Sequence, residues 1–343
     1  MASIRDVAKK ANISIGAVSR FLNNDPTLSI SDEAKERIRR AVVALNYEKT
    51  DKTRKKRSVS SLAIITAVSP EMEIDDPYFR NIRAGIEEEA KRHKVACNRK
   101  FSLFEGIDQV EQLSSLGAII ILGNASSEAI EQIKQVNENI VLLDNYNVSI
   151  GLDTVYADFE LATKESLAYL YERGHRNIAF IGGNRFEYGL DGKREVKRDD
   201  IRHVTYVNWM KQKGLEQYCS AEIGDWTPQE GMRLVEEILD GNNRPTAILV
   251  GSDPMAVGVY HGIQKRELTI GNDISILSFD DIEIARFLTP ELSTSHIDTR
   301  ELGRIGVRLA AERISDVRTI PIKVIIPTKL IERESVKRLD ITD

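Results

Sequence analysis

The 343-residue chain has few cysteines and no long apolar run. Cys97 and Cys219 are far apart in the sequence, so we expect no disulfide framework and no cysteine-rich metal site. Apolar runs such as residues 118–122 are far shorter than the roughly 20 residues that span a membrane as a helix. The first residues lack a hydrophobic stretch of signal-peptide length. We therefore expect a cytoplasmic protein with no metal and no membrane partner.

The sequence also lacks the motifs of common enzyme classes. It contains no Gly-x-Ser-x-Gly, His-Glu-x-x-His, Gly-x-x-x-x-Gly-Lys-[Ser/Thr] or Cys-x-x-Cys pattern, and its five histidines are scattered. Asp280 and Asp281 invite comparison with the two carboxylates of a glycosidase. However, adjacent residues of an extended strand point to opposite faces, which argues against joint action on one bond. We expect no catalytic residues and no cofactor.

The charge is distributed unevenly along the chain. The first 61 residues hold 14 Lys and Arg against 7 Asp and Glu, a net charge of +7. The remaining residues carry −12, which gives the −5 of the whole chain. A basic segment joined to an acidic body indicates a module that binds a polyanion, attached to a part that does not.

Three short helical patterns follow one another within residues 1–47. The first places Val7, Ala8 and Ala11 at helical spacing, the second follows Ser14 as N-cap, and the third follows Ser31. A tight turn between the first two predicts a helix-turn-helix, whose second helix enters the major groove of DNA.

The run IRDVAKKANISIGAVSRFLN at 4–23, with AVVALNY at 41–47, resembles the headpiece of the lactose-repressor and galactose-repressor (LacI/GalR) family. The chain departs mildly from the family pattern at Asn12, Ile13 and Ala17. The resemblance implies that Ile15 and Gly16 occupy the two base-reading positions. The DNA-binding residues that it implies in the headpiece are Ser14, Ile15, Gly16, Ala17, Ser19, Arg20 and Asn23.

Residues 48–61 form a polar, basic linker. In the family this stretch is a hinge helix, and a leucine wedges into the minor groove to kink the operator. Lys56 stands at the place of that leucine, and Thr53 stands where Ala is usual. We therefore predict a wedge-free, electrostatic hinge in which Arg54 and Lys56 bind DNA.

After residue 61, short apolar runs alternate with amphipathic helical patterns. Strands this uniformly apolar are typical of parallel sheets covered by helices on both faces. In such folds ligands bind beyond the carboxyl ends of the strands. Carboxylates at those ends, with an Arg and a Trp, predict a sugar site, since they offer charged acceptors and donors for hydroxyls and a flat face for stacking.

The resemblance continues through GDW at 224–226, GSDPMAVG at 251–258, DISILSFDD at 273–281 and PELST at 290–294. It implies a periplasmic-binding-protein type I body with two doubly wound lobes. Arg202 is placed by its spacing to Tyr206, and Ser252 stands where Asn is commoner. The implied effector-binding residues are Asp76, Asp144, Arg202, Trp226, Ser252 and Asp280.

Within the family the chain most resembles the repressors of evolved β-galactosidase operons. NDPTL at 24–28, EIDDPYF at 73–79 and ARFLTPELST at 285–294 carry that likeness. It makes a galactoside the leading effector hypothesis.

The predicted fold class is an all-α helix-turn-helix headpiece plus an α/β body. The predicted domains are the headpiece at 1–47, the hinge linker at 48–61 and the effector-binding and dimerisation domain at 62–343. Because the chain crosses between the lobes three times, we place lobe 1 at 62–158 and 290–320, and lobe 2 at 159–289 and 321–343.

The predicted partners are double-stranded palindromic operator DNA, a small-molecule sugar effector and a second copy of the chain. One headpiece covers half of a palindromic site, and the C-terminal residues 329–343 lack sustained heptads, so we expect a homodimer rather than a tetramer. The expected function is nucleoid-associated repression of a carbohydrate-utilisation operon, relieved by the sugar. Three alternatives stay open: a purine or phosphorylated-sugar effector, action with a corepressor, and a sugar-binding receptor.

Overall fold

The computed structural model describes residues 3–22, 25, 28–45, 47, 61–146, 151–198 and 200–339. The chain divides into two compact units, one within residues 1–56 and one within residues 57–343. No helix in these described ranges is long and apolar enough to cross a membrane.

The first unit contains α1 (Ile4–Ala11), α2 (Ile15–Leu22) and α3 (Asp32–Ala44). Side-chain hydroxyls cap the helices, because the first backbone amides of a helix have no partner within it. Ser14 Oγ accepts from the amide of Ala17 at 3.2 Å, and Ser31 Oγ accepts from the amide of Ala34 at 3.2 Å. One residue from each helix meets in a small apolar core, which contains Val7, Val18 and Ile38.

The second unit alternates strands with helices. Its strands are β1 (Ser61–Thr66), β2 (Ala96–Ser102), β3 (Ala118–Leu122), β4 (Ile140–Leu143), β5 (Asp153–Ala157), β6 (Ile178–Gly183), β7 (Arg185–Tyr188), β8 (Arg194–Arg198), β9 (Ser220–Gly224), β10 (Ala247–Val250), β11 (Ser275–Asp280), β12 (Ser293–His296), β13 (Lys323–Ile326) and β14 (Lys329–Ile331). Its helices are α4 (Pro70–Asp75), α5 (Pro77–Arg92), α6 (Ser127–Val136), α7 (Phe159–Glu172), α8 (Ile201–Gln212), α9 (Pro228–Asp240), α10 (Asp253–Lys265) and α11 (Thr299–Ile314).

Two six-stranded sheets define two lobes. The first has the order β13-β5-β4-β3-β1-β2, and all its neighbours are parallel. The second has the order β14-β12-β11-β10-β6-β9, in which only β14 is antiparallel to its neighbour. The central strands β3, β4, β6, β10 and β11 are buried along their whole length, which explains their uniformly apolar sequences.

The sheet topology corrects two predicted lobe boundaries. The predicted lobe 1 segment 290–320 contains β12, but β12 lies in the second sheet, with Leu277 beside Ser293. The predicted lobe 2 segment 321–343 contains β13, but β13 extends the first sheet, with Val324 beside Val155. The chain therefore crosses after β5, between β12 and α11, and between β13 and β14. Because β12 and β13 are only four residues long, they carry little periodic signal.

The hairpin formed by β7 and β8 follows β6 in the second lobe yet bonds to the first lobe. The amide of Ser126 donates to the carbonyl of Tyr188 at 2.9 Å, and the amide of Ile107 donates to the carbonyl of Leu190 at 2.8 Å. Tyr188 is buried among the apolar residues of the first lobe. The β7–β8 hairpin thus joins the two lobes without being one of the three chain crossings.

Candidate functional site

An open cavity lies between the two lobes at the carboxyl ends of their strands. Its volume is about 890 Å³, counted with the solvent at its mouth. The first lobe lines the cavity with residues that follow β1, β3 and β4, and the second lobe with residues at or after the ends of β6, β9, β10 and β11.

All six residues predicted to bind the effector lie on the wall of this cavity. Each stands at the end of a strand or the start of a helix, so the backbone fixes its position. They are Asp76, Asp144, Arg202, Trp226, Ser252 and Asp280. Asp76 caps α5 by accepting from the amide of Tyr78 at 2.9 Å, and Ser252 caps α10. Their contact with an effector stays a prediction.

Trp226 forms a flat, apolar part of the wall. Its indole Nε1 donates to the carbonyl of Asn184 at 2.9 Å. A Cβ added to Gly183 would lie 2.2 Å from Trp226 Cε2, so the ring lies directly on the glycine backbone. The guanidinium of Arg202 lies 4.4 Å from the ring centre, a cation–π distance. The indole is therefore held at its edge and on its face.

Arg202 is held by a bidentate ion pair that the sequence analysis missed. Its Nε donates to Asp200 Oδ1 at 2.6 Å and its Nη2 donates to Asp200 Oδ2 at 3.0 Å. A third bond runs from Nη1 to the carbonyl of Gly251 at 2.8 Å. The planar guanidinium is well suited to such paired bonds, which fix its orientation. The spacing of Asp200, two residues before Arg202, is a signal that could have revealed it.

Three carboxylates share the cavity wall and are poorly solvated. Burial raises the pKa of Asp76 to about 6 and the pKa of Asp144 to about 6. Burial also raises the pKa of Asp280 well above its ordinary value, and the nearby charge of Asp76 adds to that rise. The hydroxyl of Tyr78 donates to Asp144 Oδ1 at 3.0 Å. Such desolvated carboxylates are stabilised by a ligand whose hydroxyl groups donate hydrogen bonds in place of water.

Two of these carboxylates have an uncommon backbone conformation. Asp144 has a φ of 54° and Asp280 has a φ of 107°, in a region that side chains other than glycine seldom adopt. Strained residues of this kind cluster at functional sites. Asp281 also has a positive φ, of 54°, but it binds Arg333, and its Oδ2 lies 3.1 Å from Nδ1 of His296. The side chains of the two adjacent aspartates thus have different surroundings, and of these two residues only Asp280 lines the cavity.

Two further cavity residues were missed in the sequence. Asn124 Oδ1 and Arg185 Nε are buried, and neither atom has a hydrogen-bond partner among the residues that the structure describes. Asn124 follows β3 in the first lobe, and Arg185 begins the β7–β8 hairpin of the second. No residue pattern in the sequence singled them out.

In the first unit, the residues predicted to bind DNA lie on and around the start of α2. Ser14, Ile15, Gly16 and Arg20 are exposed, while Ala17 and Ser19 are partly exposed. Ile15, a large apolar residue, is 47% exposed. Arg20 Nε donates to Asp25 Oδ2 at 2.7 Å. The other predicted residues, Asn23, Arg54 and Lys56, lie outside the described residues.

A comparison with curated proteins decides the family. The chain is 32% identical over 342 residues to the HTH-type transcriptional repressor MelR of Bacillus subtilis, covering 98% of this chain and 97% of that protein. The chain belongs to the lacI family of bacterial regulatory proteins. The family model for bacterial regulatory proteins of the lacI family matches residues 3–49. The model for a periplasmic binding protein-like domain matches residues 167–336.

Other lacI-family proteins are similar over the whole chain. The HTH-type transcriptional regulator GalR of Streptococcus thermophilus is 32% identical, with 98% of this chain and 100% of that protein covered. Among solved structures, the CelR–cellobiose complex has a TM-score of 0.68 at 21% identity, covering 98% of this chain and 100% of that one. The lac repressor dimer bound to operator and an anti-inducer has a TM-score of 0.67 at 21% identity, covering 98% and 99%.

These findings confirm the predicted family, the two-part fold and the class of function. This lacI-family chain is a DNA-binding transcriptional regulator, and the expectation that it is not an enzyme agrees with the curated relatives, which are regulators.

Proposed function

We propose that this regulator is a cytoplasmic, nucleoid-associated homodimer that represses a carbohydrate-utilisation operon and leaves its operator when a neutral sugar, best a galactoside, binds between the lobes. The observation that carries the proposal is the cavity in which Trp226 lies beside three poorly solvated carboxylates. Sugar hydroxyls donate to carboxylates, and the apolar face of a galactose ring stacks on an indole.

The charge of the cavity favours a neutral sugar over a phosphorylated one. Among the described residues of the cavity wall, both arginines already face a carboxylate: Arg202 binds Asp200, and Arg185 Nη2 lies 3.4 Å from Glu187 Oε1. A phosphate would therefore add about −2 to a wall that also carries Asp76, Asp144 and Asp280. A neutral sugar can form hydrogen bonds with the same side chains and is not repelled by the carboxylates.

Sugars bound in two related structures support a sugar effector. The CelR structure contains cellobiose, and another lacI-family structure, from Enterococcus faecium, contains ribose in a chain that is 19% identical to this one. Corepression is the alternative to induction, and a purine or a phosphorylated sugar is the alternative to a neutral sugar.

On the DNA side, we propose that the start of α2 reads bases through Ile15 and Gly16. A Cβ at Gly16 would meet no atom within 4 Å, so its open backbone allows close approach to the base edges. Ser14, Ala17, Ser19, Arg20 and Asn23 would hold phosphates or bases, and Arg54 and Lys56 of the linker would follow the phosphates. Two headpieces of a dimer would occupy the two halves of a palindromic operator.

Thermal unfolding of the full-length protein tests the effector. Millimolar galactose, lactose and methyl β-galactoside are compared with glucose 6-phosphate, ribose and a purine. A ligand at 100 times its Kd stabilises the protein by about 2.7 kcal/mol, which is a shift of several degrees. We expect a shift with galactosides and weaker operator binding in their presence. A shift with the phosphorylated sugar or the purine alone would overturn the neutral-sugar proposal, and tighter operator binding would replace induction with corepression.

A further inference from the structure

The β7–β8 hairpin bridges the two lobes on the side of the cavity away from the chain crossings. Each of the three crossings involves β5, β12, β13 or β14, and these strands lie at one margin of each sheet. The hairpin instead leaves β6, near the other margin of the second sheet, and reaches the loops that follow β2 and β3 in the first. Since the cavity lies at the carboxyl ends of both sheets, it has the crossings at one end and the hairpin at the other.

Main-chain hydrogen bonds attach the hairpin to the first lobe. The amide of Tyr188 donates to the carbonyl of Asn124 at 3.0 Å, and the amide of Ser126 donates to the carbonyl of Tyr188 at 2.9 Å. A third bond joins the amide of Ile107 to the carbonyl of Leu190 at 2.8 Å. The first lobe thus pairs with the hairpin as it would with an added strand.

Apolar side chains of the hairpin complete the core of the first lobe. Tyr188 is 3% exposed and lies in the apolar cluster that contains Leu103 and Leu113. Its ring is edge-on to that of Phe104, with the ring centres 6.3 Å apart. Leu190 packs against the same cluster. Detaching the hairpin would expose this apolar surface and break the hydrogen bonds in the same event, so the attachment is cooperative.

Two glycines allow the tip of the hairpin to approach the backbone of the first lobe. Gly106 has a φ of 84° and Gly192 has a φ of 78°, a region that favours glycine. A Cβ on Gly192 would lie 3.1 Å from the carbonyl oxygen of Phe104, and a Cβ on Gly106 would lie 3.3 Å from that of Leu190. A side chain at Gly192 would therefore push the tip away from the first lobe.

The base of the hairpin is joined to the cavity wall in the second lobe. The amide of Asn184, the residue before β7, donates to the carbonyl of Gly224 at 2.8 Å. The carbonyl of Asn184 accepts from the indole Nε1 of Trp226 at 2.9 Å. One short strand thus connects the indole to the apolar core of the first lobe.

We propose that the β7–β8 hairpin is a latch that holds the two lobes together in the ligand-free regulator, and that the cavity opens fully only when the hairpin leaves the first lobe. The lobes then have two discrete arrangements, latched and released, because the hydrogen bonds and the apolar contacts are lost together. The latch follows from the attachment of the hairpin and does not depend on which ligand fills the cavity.

Gly192→Asn weakens the latch without straining the turn. Asparagine tolerates a positive φ, so the turn can form, but its side chain meets the carbonyl of Phe104. Gly214→Asn is the matched control, since Gly214 has a φ of 69° and a Cβ there would meet no atom within 4 Å. Tyr188→Ala is a second latch variant, which removes the buried ring. Thermal unfolding verifies that each variant folds.

Hydrogen exchange of the ligand-free, full-length protein, read by mass spectrometry, measures detachment of the hairpin. The peptides to follow contain the amides of Ile107, Ser126 and Tyr188, with β10 as the internal reference. For Gly192→Asn we expect exchange at all three amides to become about tenfold faster, because overpacking shifts the equilibrium toward the released state. Exchange in β10 should not change, and Gly214→Asn should stay within about twofold of the wild type.

Thiol labelling measures opening of the cavity in the same variants. Ala67 lines the cavity and is 5% exposed, so Ala67→Cys places a thiol inside it. The native thiols are removed by Cys97→Ser and Cys219→Ser. The reagent is a maleimide on a polyethylene glycol chain, which is too bulky for the closed cavity. We expect Gly192→Asn and Tyr188→Ala to accelerate labelling by about tenfold, in parallel with the exchange.

Three results would overturn the latch. The first is faster exchange with an unchanged labelling rate, since the hairpin would then detach without opening the cavity. The second is no acceleration by either Gly192→Asn or Tyr188→Ala. The third is the same acceleration by Gly214→Asn. No sugar is used, so none of these results bears on the proposed effector.

Discussion

Replacing Asp144 with asparagine should stabilise the free protein at high pH. Asp144 is 8% exposed, and burial raises its pKa from 3.8 to about 6. The folded state therefore holds a proton that the unfolded state has released between about pH 4 and pH 6. The stabilising contribution of this group is complete below pH 3.8 and is lost as the pH rises through 6. At pH 8 the loss is on the order of 3 kcal/mol.

Asparagine is a suitable replacement because it keeps the local geometry. Its side-chain oxygen can still accept from the hydroxyl of Tyr78, and asparagine tolerates the φ of 54° at this position. The variant has no charge to desolvate at any pH. We expect Asp144→Asn to be more stable than the wild type at pH 8 by on the order of 3 kcal/mol, or about 4 °C in Tm, with about half of that difference left at pH 5.

The assay is thermal and urea unfolding of both proteins at pH 5 and pH 8, without ligand. Only the difference between the two proteins is used, since it removes the contribution of all other titrating groups. Asp108→Asn, an exposed carboxylate, is the control and should change stability by less than about 0.5 kcal/mol. A variant less stable than the wild type at pH 8, or a difference that does not depend on pH, would refute the reasoning. The same variant should lose about tenfold in sugar affinity.

Three other substitutions test separate parts of the structure. Asp153→Ala leaves two arginines without the fully buried carboxylate that they share, so we expect a loss of about 3–5 kcal/mol in urea unfolding; a loss below 1 kcal/mol would contradict this. Gly183→Ala should displace the indole of Trp226, which lies within 2.2 Å of the added Cβ, and abolish sugar binding in calorimetry while the operator is still bound. Ser14→Ala removes the cap of α2 and should lower the stability of this helix by about 1 kcal/mol. We expect faster hydrogen exchange of the Ala17 amide and weaker operator binding. Unchanged exchange would show that the cap is unimportant.

Much of the fold was predictable because local patterns and buried strands agree. The caps at Ser14 and Ser31 mark helix starts in the sequence, and both are present. The uniformly apolar runs correspond to central strands such as β3 and β4, whose two faces are both covered. Because ligands in such folds bind beyond the carboxyl ends of the strands, the sequence also predicted that Asp144 and Asp280, which are far apart in the chain, would line one cavity.

The parts that sequence reasoning missed depend on contacts between distant segments. The β7–β8 hairpin has an Asp191-Gly192 turn with Phe186 and Tyr188 alternating before it, which is a hairpin signal. Its attachment to the other lobe has no local signature, since Tyr188 contacts Phe104 and Ala125, which are distant in the sequence. Likewise, Asn124 Oδ1 has no partner in the described part of the chain, and this is a property of the assembled cavity that a sequence alone does not display.

The β7–β8 hairpin also has a consequence for the rate at which the lobes separate. Three chain crossings connect the lobes covalently and bend without breaking, but the hairpin must be detached: backbone hydrogen bonds at Ser126 and Ile107 break, and the buried ring of Tyr188 leaves the first lobe. Separation of the lobes at the hairpin would lose these contacts together. We therefore expect a ligand that bridges the lobes, and so stabilises this attachment, to dissociate slowly, because affinity differences among related complexes lie mostly in the dissociation rate.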